Sequence, residues 1–192
     1  YPSPSHPRTI AIAALVYSLA TFAGMALFDR ETWLRRGEAF TVFFAMLGRF
    51  APIRWHGNAV RFRLWAAGLA HPVPLSRSMV AFILLMLAAV LFDGFLGTGL
   101  WRLIERGVRS LLPYGADRES MIAATLSLFG LWLAFLAAYD LAAWAMARAA
   151  GAGMGGRAIA SRFALSLVPI GVGYNLAHNL SYLLVQGQAI AA

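Results

Sequence analysis

The chain has 192 residues, of which 60% are hydrophobic and only 12% are charged, and its formal net charge is +8 at pH 7. Soluble domains contain roughly a quarter of charged residues, so this composition excludes an ordinary soluble domain and predicts a multi-pass membrane protein. There is no cysteine, which excludes a disulfide framework and a thiolate metal site. The basic residues are dispersed between apolar segments, as is typical of charges that orient membrane helices and not of a nucleic-acid-binding face.

From the two ends of the chain we expect it to be part of a longer protein. It begins at Tyr1 with a proline- and serine-rich stretch and ends at Ala192 within apolar sequence. The apolar run after Arg8 is roughly 20 residues long, which exceeds the apolar part of a signal peptide. We therefore predict that this first run is a membrane span.

Four apolar segments are predicted to cross the membrane as helices, because a helix rises 1.5 Å per residue and the hydrocarbon layer is ~30 Å thick. The predicted spans are residues 9–28, 78–93, 120–147 and 163–190. Pro169 lies in the last span and predicts a kink there, since proline has no backbone N–H. The predicted fold class is all-α integral membrane, with residues 1–192 forming one transmembrane helical domain.

Two further segments, at about residues 37–50 and 101–112, are predicted to be interfacial helices. The first is apolar but, at about fourteen residues, is short for a span. The second places apolar and charged residues on opposite faces with helical period, which is typical of a helix at the membrane surface. Between them, residues 59–65 alternate apolar and charged side chains, and this predicts a short strand in a two-stranded element.

Arginine usage predicts the location and the orientation of the chain. All sixteen basic residues are arginines, a bias typical of a GC-rich bacterial genome, so we expect the bacterial inner membrane. More arginines lie between the first and second predicted spans than on the opposite side. By the positive-inside rule that connection is cytoplasmic and the amino end is outside.

Three ionisable residues, Asp93, Asp140 and His178, lie at or within three different predicted spans. A carboxylate inside an apolar helix costs about 2.5–3.5 kcal/mol on insertion scales, so Asp140 requires a partner: His178, an arginine, a tyrosine hydroxyl or a metal ion. Asp with His is a possible metal ligand set and a possible acid–base pair. Hydrogen bonding between helices is the simpler alternative. Cofactor contact by His178 also stays open, so the sequence identifies no cofactor and does not decide whether the protein is an enzyme.

The last predicted span also carries a row of polar side chains, here called the polar seam. Its members are Tyr174, Asn175, His178, Asn179, Ser181 and Tyr182. At helical spacing the residues Tyr174, His178, Ser181 and Tyr182 lie on one face, and the asparagines lie beside it. Polar groups are expensive at membrane depth, so the seam is predicted to face protein or a water-filled cavity.

Residues 36–52, 91–95 and 167–188 form three stretches that include Arg36-Gly37-Glu38, Leu91-Phe92-Asp93-Gly94 and Tyr174-Asn175-Leu176-Ala177-His178-Asn179. Together they resemble a broad, mostly uncharacterised family of bacterial multi-pass membrane proteins labelled fenitrothion hydrolase-like. The resemblance implies a longer polytopic protein with further spans on both sides. Its label implies phosphotriester cleavage, a reaction usually assisted by metal-activated water. It draws attention to Asp93, Tyr174, His178 and Gln188.

The first functional hypothesis is an accessory membrane subunit that packs in a larger inner-membrane complex of respiratory or photosynthetic type, because ionisable residues are few and soluble domains are absent. The expected partners are the lipid bilayer and other membrane subunits, and no nucleic acid. The alternative is a membrane-embedded metal-dependent hydrolase that uses Asp93, Asp140 and His178. A third hypothesis is a small-ion or proton pathway along Asp140 and His178.

Overall fold

The computed structural model describes residues 7–57, 59–70, 75–111, 116–151, 153 and 155–191, except for the side chains of 56, 116–119, 178, 181–183, 185–186 and 189–191. These residues form the following elements: α1 (Pro7–Phe28), α2 (Arg30–Arg36), α3 (Ala39–Leu47), β1 (Ile53–His56), β2 (Ala59–Phe62), α4 (Arg77–Leu96), α5 (Gly99–Leu111), α6 (Ala116–Ala149), α7 (Gly156–Phe163) and α8 (Val168–Ala191). A 3-10 turn at Gly48–Phe50 follows α3, and another at Ala164–Leu167 joins α7 to α8.

Four helical segments are long and apolar enough to cross a membrane: Pro7–Phe28, Arg77–Leu96, Ser120–Ala149 and Gly156–Ala177. They overlap the four predicted spans, so the all-α, multi-pass membrane class is confirmed. The two predicted interfacial segments are also helical, as α3 with its 3-10 turn and as α5. The predicted strand is β2, which pairs antiparallel with β1 so that Ile53 lies opposite Phe62.

The fourth span differs in detail from its prediction. Its helical segment begins at Gly156, earlier than expected, and the path is interrupted by the 3-10 turn at Ala164–Leu167. Pro169 is the second residue of α8, a position in the first helical turn where the missing N–H costs no intrahelical bond. The predicted kink is therefore replaced by a tightened turn that ends one helix before the next begins.

Residue contacts group the chain into two compact units, 1–71 and 72–192. The single domain expected from the sequence remains a prediction.

In the first unit, Asp29 ends α1 with a φ of 69°, in the left-handed region that few non-glycine residues adopt. Its carboxylate caps α2 by accepting hydrogen bonds from the backbone N–H groups of Glu31 and Thr32. The charged segment after the first span, Arg30–Arg36, is therefore a short helix, which the sequence did not predict.

Trp33 joins α1 and α2 within this unit. Its ring stacks on Phe28 with 5.6 Å between centroids, and its indole lies so close to Gly24 and Gly37 that a Cβ at either glycine would collide with it. Gly24 is buried, although almost every other residue of α1 is exposed. The two glycines thus provide the space that lets the α2 side chain pack on α1.

The hairpin of the first unit is held by an arginine. Arg63 donates to the backbone carbonyls of Ala51 at 2.8 Å, Gly48 at 3.0 Å and Arg49 at 3.1 Å. These carbonyls belong to the end of α3 and its 3-10 turn, where the last acceptors of a helix have no intrahelical partner. One guanidinium therefore caps the turn and fixes the strand pair beside it.

In the second unit α4 packs against α6 and against the segment formed by α7 and α8. The side chains of Val80, Ile83 and Leu84 are buried on α4. On α6 the small residues Ala123 and Ala143 are almost fully buried, and Ala143 packs with Ile159 and Ala160 of α7. Small residues let membrane helices approach closely, so that packing and hydrogen bonds can hold them together.

Candidate functional site

The most conspicuous polar contact of the second unit joins Asp140 of α6 to Arg77, the first residue of α4. Arg77 Nη1 donates to Asp140 Oδ1 at 2.5 Å, and Nη2 donates to Oδ2. This two-point geometry is the strong form of an arginine–carboxylate pair. An arginine was one of the partners that the sequence left open for Asp140, and the structure selects it.

Neutral hydrogen bonds near this ion pair connect α6, and the segment just before α4, to α7. The Tyr139 hydroxyl donates to the Ala160 carbonyl at 2.7 Å, which joins α6 to α7. Ser161 Oγ accepts from the Leu75 amide at 2.6 Å and donates to the carbonyl of the same residue at 3.0 Å. Each polar group here is paired within the chain, as polar groups between membrane helices must be.

Farther along the same interface, the indole nitrogen of Trp132 donates to the Ala81 carbonyl at 2.9 Å. This bond connects α6 to α4 about one turn farther along α4 and two turns farther along α6 than the Arg77–Asp140 pair. Because Arg77 meets Asp140 while Ala81 meets Trp132, the two helices run antiparallel. The polar contacts of this region therefore act together to fix one register of α4 against α6.

Asp93 does not share a site with Asp140. It lies exposed in the last turn of α4, about 16 residues from Arg77 and so about 24 Å along the helix axis. Asp140 contacts Arg77 at the opposite end, and two ligands of one metal ion each lie only ~2 Å from it. The structure thus separates the two carboxylates that the sequence grouped, because Asp93 lies at one end of α4 and Asp140 of α6 lies beside the other end.

His178 lies in α8, and its side chain is outside the described residues. The hydrogen bond, metal ligation or cofactor contact that the sequence left open for His178 therefore stays a prediction. Among the residues that the structure does describe, no three His, Asp or Glu side chains are placed to hold one metal ion. Gln188, noted through the family resemblance, is exposed near the end of α8.

The polar seam lies on one continuous helix, α8. Tyr174 is half-buried, and its hydroxyl would lie 3.1 Å from a Cβ at Gly94, so it packs against the last turn of α4. Asn175 and Asn179 are exposed, and the amide of Asn179 donates to the Asn175 carbonyl at 2.9 Å and to its side-chain oxygen at 3.3 Å. The side chains of Ser181 and Tyr182, like that of His178, lie outside the described part of the chain.

The first unit contains a buried carboxylate that the sequence placed only in the first turn of an interfacial helix. Glu38 is 7% exposed and caps α3 by accepting from the amides of Phe40 at 2.8 Å and Thr41 at 2.6 Å. The hydroxyls of Thr41 and of Tyr17 in α1 also donate to it. Burial raises the pKa of this carboxyl, but the bonds from Thr41 and the backbone outweigh it, so the pKa lies below its ordinary value. The sequence feature that could have revealed this N-cap is a glutamate directly before an apolar helical segment.

A second carboxylate joins the interfacial helix α5 to α6. Glu105 accepts from the Ser120 hydroxyl at 2.5 Å and from Arg109 at 2.9 Å. The hydrogen bond from Ser120, followed by the contact with Arg109, lowers the pKa of Glu105. These contacts hold α5 against the beginning of α6.

No family model, curated protein or solved structure matches the chain.

Proposed function

We propose that the chain is a structural subunit of a larger complex in the bacterial inner membrane, and that α8 is the helix through which it binds a neighbouring membrane subunit. The observation that carries this proposal is a double stripe on α8, in which leucines and asparagines are exposed side by side. The type of complex, respiratory or photosynthetic, remains a prediction from the sequence.

The leucine stripe consists of Leu176, Leu180 and Leu184, spaced four residues apart and all exposed. Tyr174 lies level with the last turn of α4, and α8 continues from there for about 26 Å to Ala191. This half of α8 extends past the end of α4, the helix on which its first half packs. The second half of α8 therefore presents the leucine stripe on a surface that a helix of another subunit can cover.

The asparagines favour a protein, and not lipid, as the partner that covers this exposed surface of α8. Leucines alone are satisfied by lipid tails, whereas a carboxamide has two donors and an acceptor that lipid tails cannot bond. The bonds of Asn179 to Asn175 use part of this capacity. Carboxamides on a membrane helix commonly bond across to a neighbouring helix, so the two stripes together favour a protein partner.

The ionisable groups support a structural role for the rest of the unit. Asp140 is paired with Arg77, and Tyr139 and Ser161 bond to backbone groups of neighbouring elements. Asp140, the most costly of the candidate catalytic groups, is therefore accounted for by helix packing.

The proposal is tested by photo-crosslinking in native membranes, with benzoylphenylalanine placed at position 176. Leu133 on α6 is the matched control position, because it is 58% exposed against 60% for Leu176. We expect one discrete protein adduct from position 176 and only lipid adducts from 133. Replacement of both Asn175 and Asn179 by leucine should weaken the adduct while α8 stays apolar.

An independent check of the structural role is to extract the protein in mild detergent and to identify the proteins that co-purify by mass spectrometry. Metal and pigment content are measured on the same sample. A partner present in constant ratio and lost in the double asparagine variant agrees with the proposal. If position 176 yields only lipid adducts and the chain purifies alone with one equivalent of zinc, iron or copper, the structural role is wrong. The hydrolase alternative with His178 would then take its place.

A further inference from the structure

The hairpin of β1 and β2 in the first unit has two chemically different faces. Side chains alternate between the faces along each strand, and the register pairs Ile53 with Phe62 and Trp55 with Val60. These four apolar residues therefore share one face, here called the apolar hairpin face. All four are exposed, and Trp55 and Phe62 are 73% and 80% exposed. The described part of the first unit thus leaves this face largely uncovered.

The opposite face of the hairpin carries two arginines side by side. Arg54 pairs with Arg61 in the register, and residues directly opposite on antiparallel strands have Cβ atoms about 4.5–5.5 Å apart. Like charges in such positions destabilise a sheet. Both residues are exposed, and neither forms an ion pair with a carboxylate in the part of the chain that the structure describes. The two guanidinium groups are therefore placed to share an anion, and phosphate is one that arginine binds strongly.

The apolar hairpin face is too small to form a stable protein interface by itself. Each strand has four residues, so the face is about 13 Å long, and the strands lie only about 5 Å apart. A stable protein–protein interface buries roughly 800 Å² on each partner. Contact with the bilayer requires no such area, because the four spans already anchor the chain there.

The position of the hairpin in the chain places it at the membrane surface. It lies between the spans Pro7–Phe28 and Arg77–Leu96, and its unpaired strand edges exclude it from the hydrocarbon core. Trp55 and the exposed Trp65 are of the residue type enriched at the membrane–water interface. The head-group layer is about 5–8 Å thick on each side. A hairpin whose apolar face meets the acyl chains therefore has its opposite face at the level of the phosphates.

We propose that the hairpin lies flat in the head-group layer, with its apolar face against the acyl chains, and that Arg54 and Arg61 together bind the phosphate of an anionic phospholipid. An anionic lipid matches the pair better than a zwitterionic one, whose head group carries its own cation beside the phosphate. The positive-inside rule predicts the cytoplasmic side for this connection, and the cytoplasmic leaflet has a negative surface potential. This lipid site is independent of the α8 surface and adds a lipid ligand to the proposed structural role.

The test uses the full chain in phosphatidylcholine vesicles with and without phosphatidylglycerol. Because the sequence has no cysteine, a nitroxide label can be attached to one introduced cysteine. Val60→Cys places the label on the apolar hairpin face, and Ala59→Cys, at the preceding exposed residue of β2, places it on the arginine face as a matched control. With phosphatidylglycerol, the label at position 60 should be several-fold more accessible to oxygen, which concentrates in acyl chains, than to a water-soluble nickel complex. The label at position 59 should show the reverse.

Loss of the arginine pair should weaken this insertion. In Arg54→Gln, the phosphatidylglycerol fraction that gives half of the change at position 60 should rise about fivefold, the effect of one basic residue near an anionic membrane surface. Arg54→Gln with Arg61→Gln should abolish the change, and the corresponding double lysine variant should keep most of it. The control replaces Arg30 and Arg36, two exposed arginines of α2 in the same unit, by glutamine and should leave the change unaltered.

Circular dichroism verifies the folding of each variant, and the lipid titration with both arginines intact decides the matter if the glutamine variants do not fold. Equal accessibility at positions 59 and 60, or a pattern at position 60 that does not depend on phosphatidylglycerol, overturns the proposal. Spin–spin coupling between labels at position 60 would mean that a second copy covers the face, which also overturns it. Inorganic phosphate added to phosphatidylcholine vesicles should have no effect; if it reproduces the change, the pair binds free phosphate and not a lipid.

Discussion

The ion pair between Arg77 and Asp140 gives the sharpest test of the fold, because it joins residues that are far apart in sequence. The side chains of Arg77 and Asp140 are 56% and 37% exposed. The energy of the pair should therefore lie between those measured for fully exposed and for buried ion pairs. An exposed pair contributes ~0.2–1 kcal/mol, and loss of one partner of a buried pair costs ~3–5 kcal/mol. We therefore expect Asp140→Asn to lower the free energy of unfolding by about 1–3 kcal/mol.

A double-mutant cycle isolates this contact. Arg77→Gln, Asp140→Asn and the double variant are unfolded by titration with sodium dodecyl sulfate, and helical content is read by circular dichroism. Because each single variant leaves one charge unpaired, the double variant should be less destabilised than the sum of the singles, with a coupling of about 1 kcal/mol or more. Arg162→Gln, which removes an exposed arginine of the same unit, is the control and should change little.

Additive single effects would refute the reasoning, because they would mean that the two side chains do not interact. A loss of bound metal in Asp140→Asn, with no loss in Arg77→Gln, would instead assign Asp140 to a metal site.

Three further outcomes are expected. Gly24→Ala should destabilise the first unit by ~1–3 kcal/mol through overpacking, because its Cβ would collide with the Trp33 indole; thermal unfolding followed by tryptophan fluorescence measures it, and an unchanged transition contradicts it. Since the folded pKa of Glu38 is depressed, its contribution to stability is fully present above the ordinary value of about 4.3 and is lost as pH falls through the lower folded value. Glu38→Gln should remove this acid sensitivity, whereas Glu31→Gln, at an exposed site, should keep it. Ser127→Ala should stabilise the protein by about 1 kcal/mol, because it removes a buried hydroxyl that has no hydrogen-bond partner among the described residues; a lower unfolding midpoint would contradict this.

The positions of the spans were predictable because they depend on local composition. An apolar run of about 20 residues crosses the bilayer as a helix wherever its neighbours lie, and this placed α1, α4, α6 and the α7–α8 segment. The amphipathic period of α5 and the alternation in β2 are equally local. Each of these patterns is written in consecutive residues, so the sequence was sufficient for them.

Other features required the tertiary structure. The sequence showed that Asp140 needs a partner, but only the packing of α4 on α6 identified Arg77, because helices placed by hydropathy can be paired in several ways. The separation of Asp93 from Asp140 has the same origin, since it depends on which end of α4 meets α6. The Asp29 break and the burial of the Ser127 hydroxyl depend on residues that meet across elements. The sequence by itself thus determined which segments are long and apolar enough to cross a membrane, since this follows from local hydrophobicity, whereas the charge pairing and the packing of the helices depend on contacts between distant residues that only the tertiary structure decided.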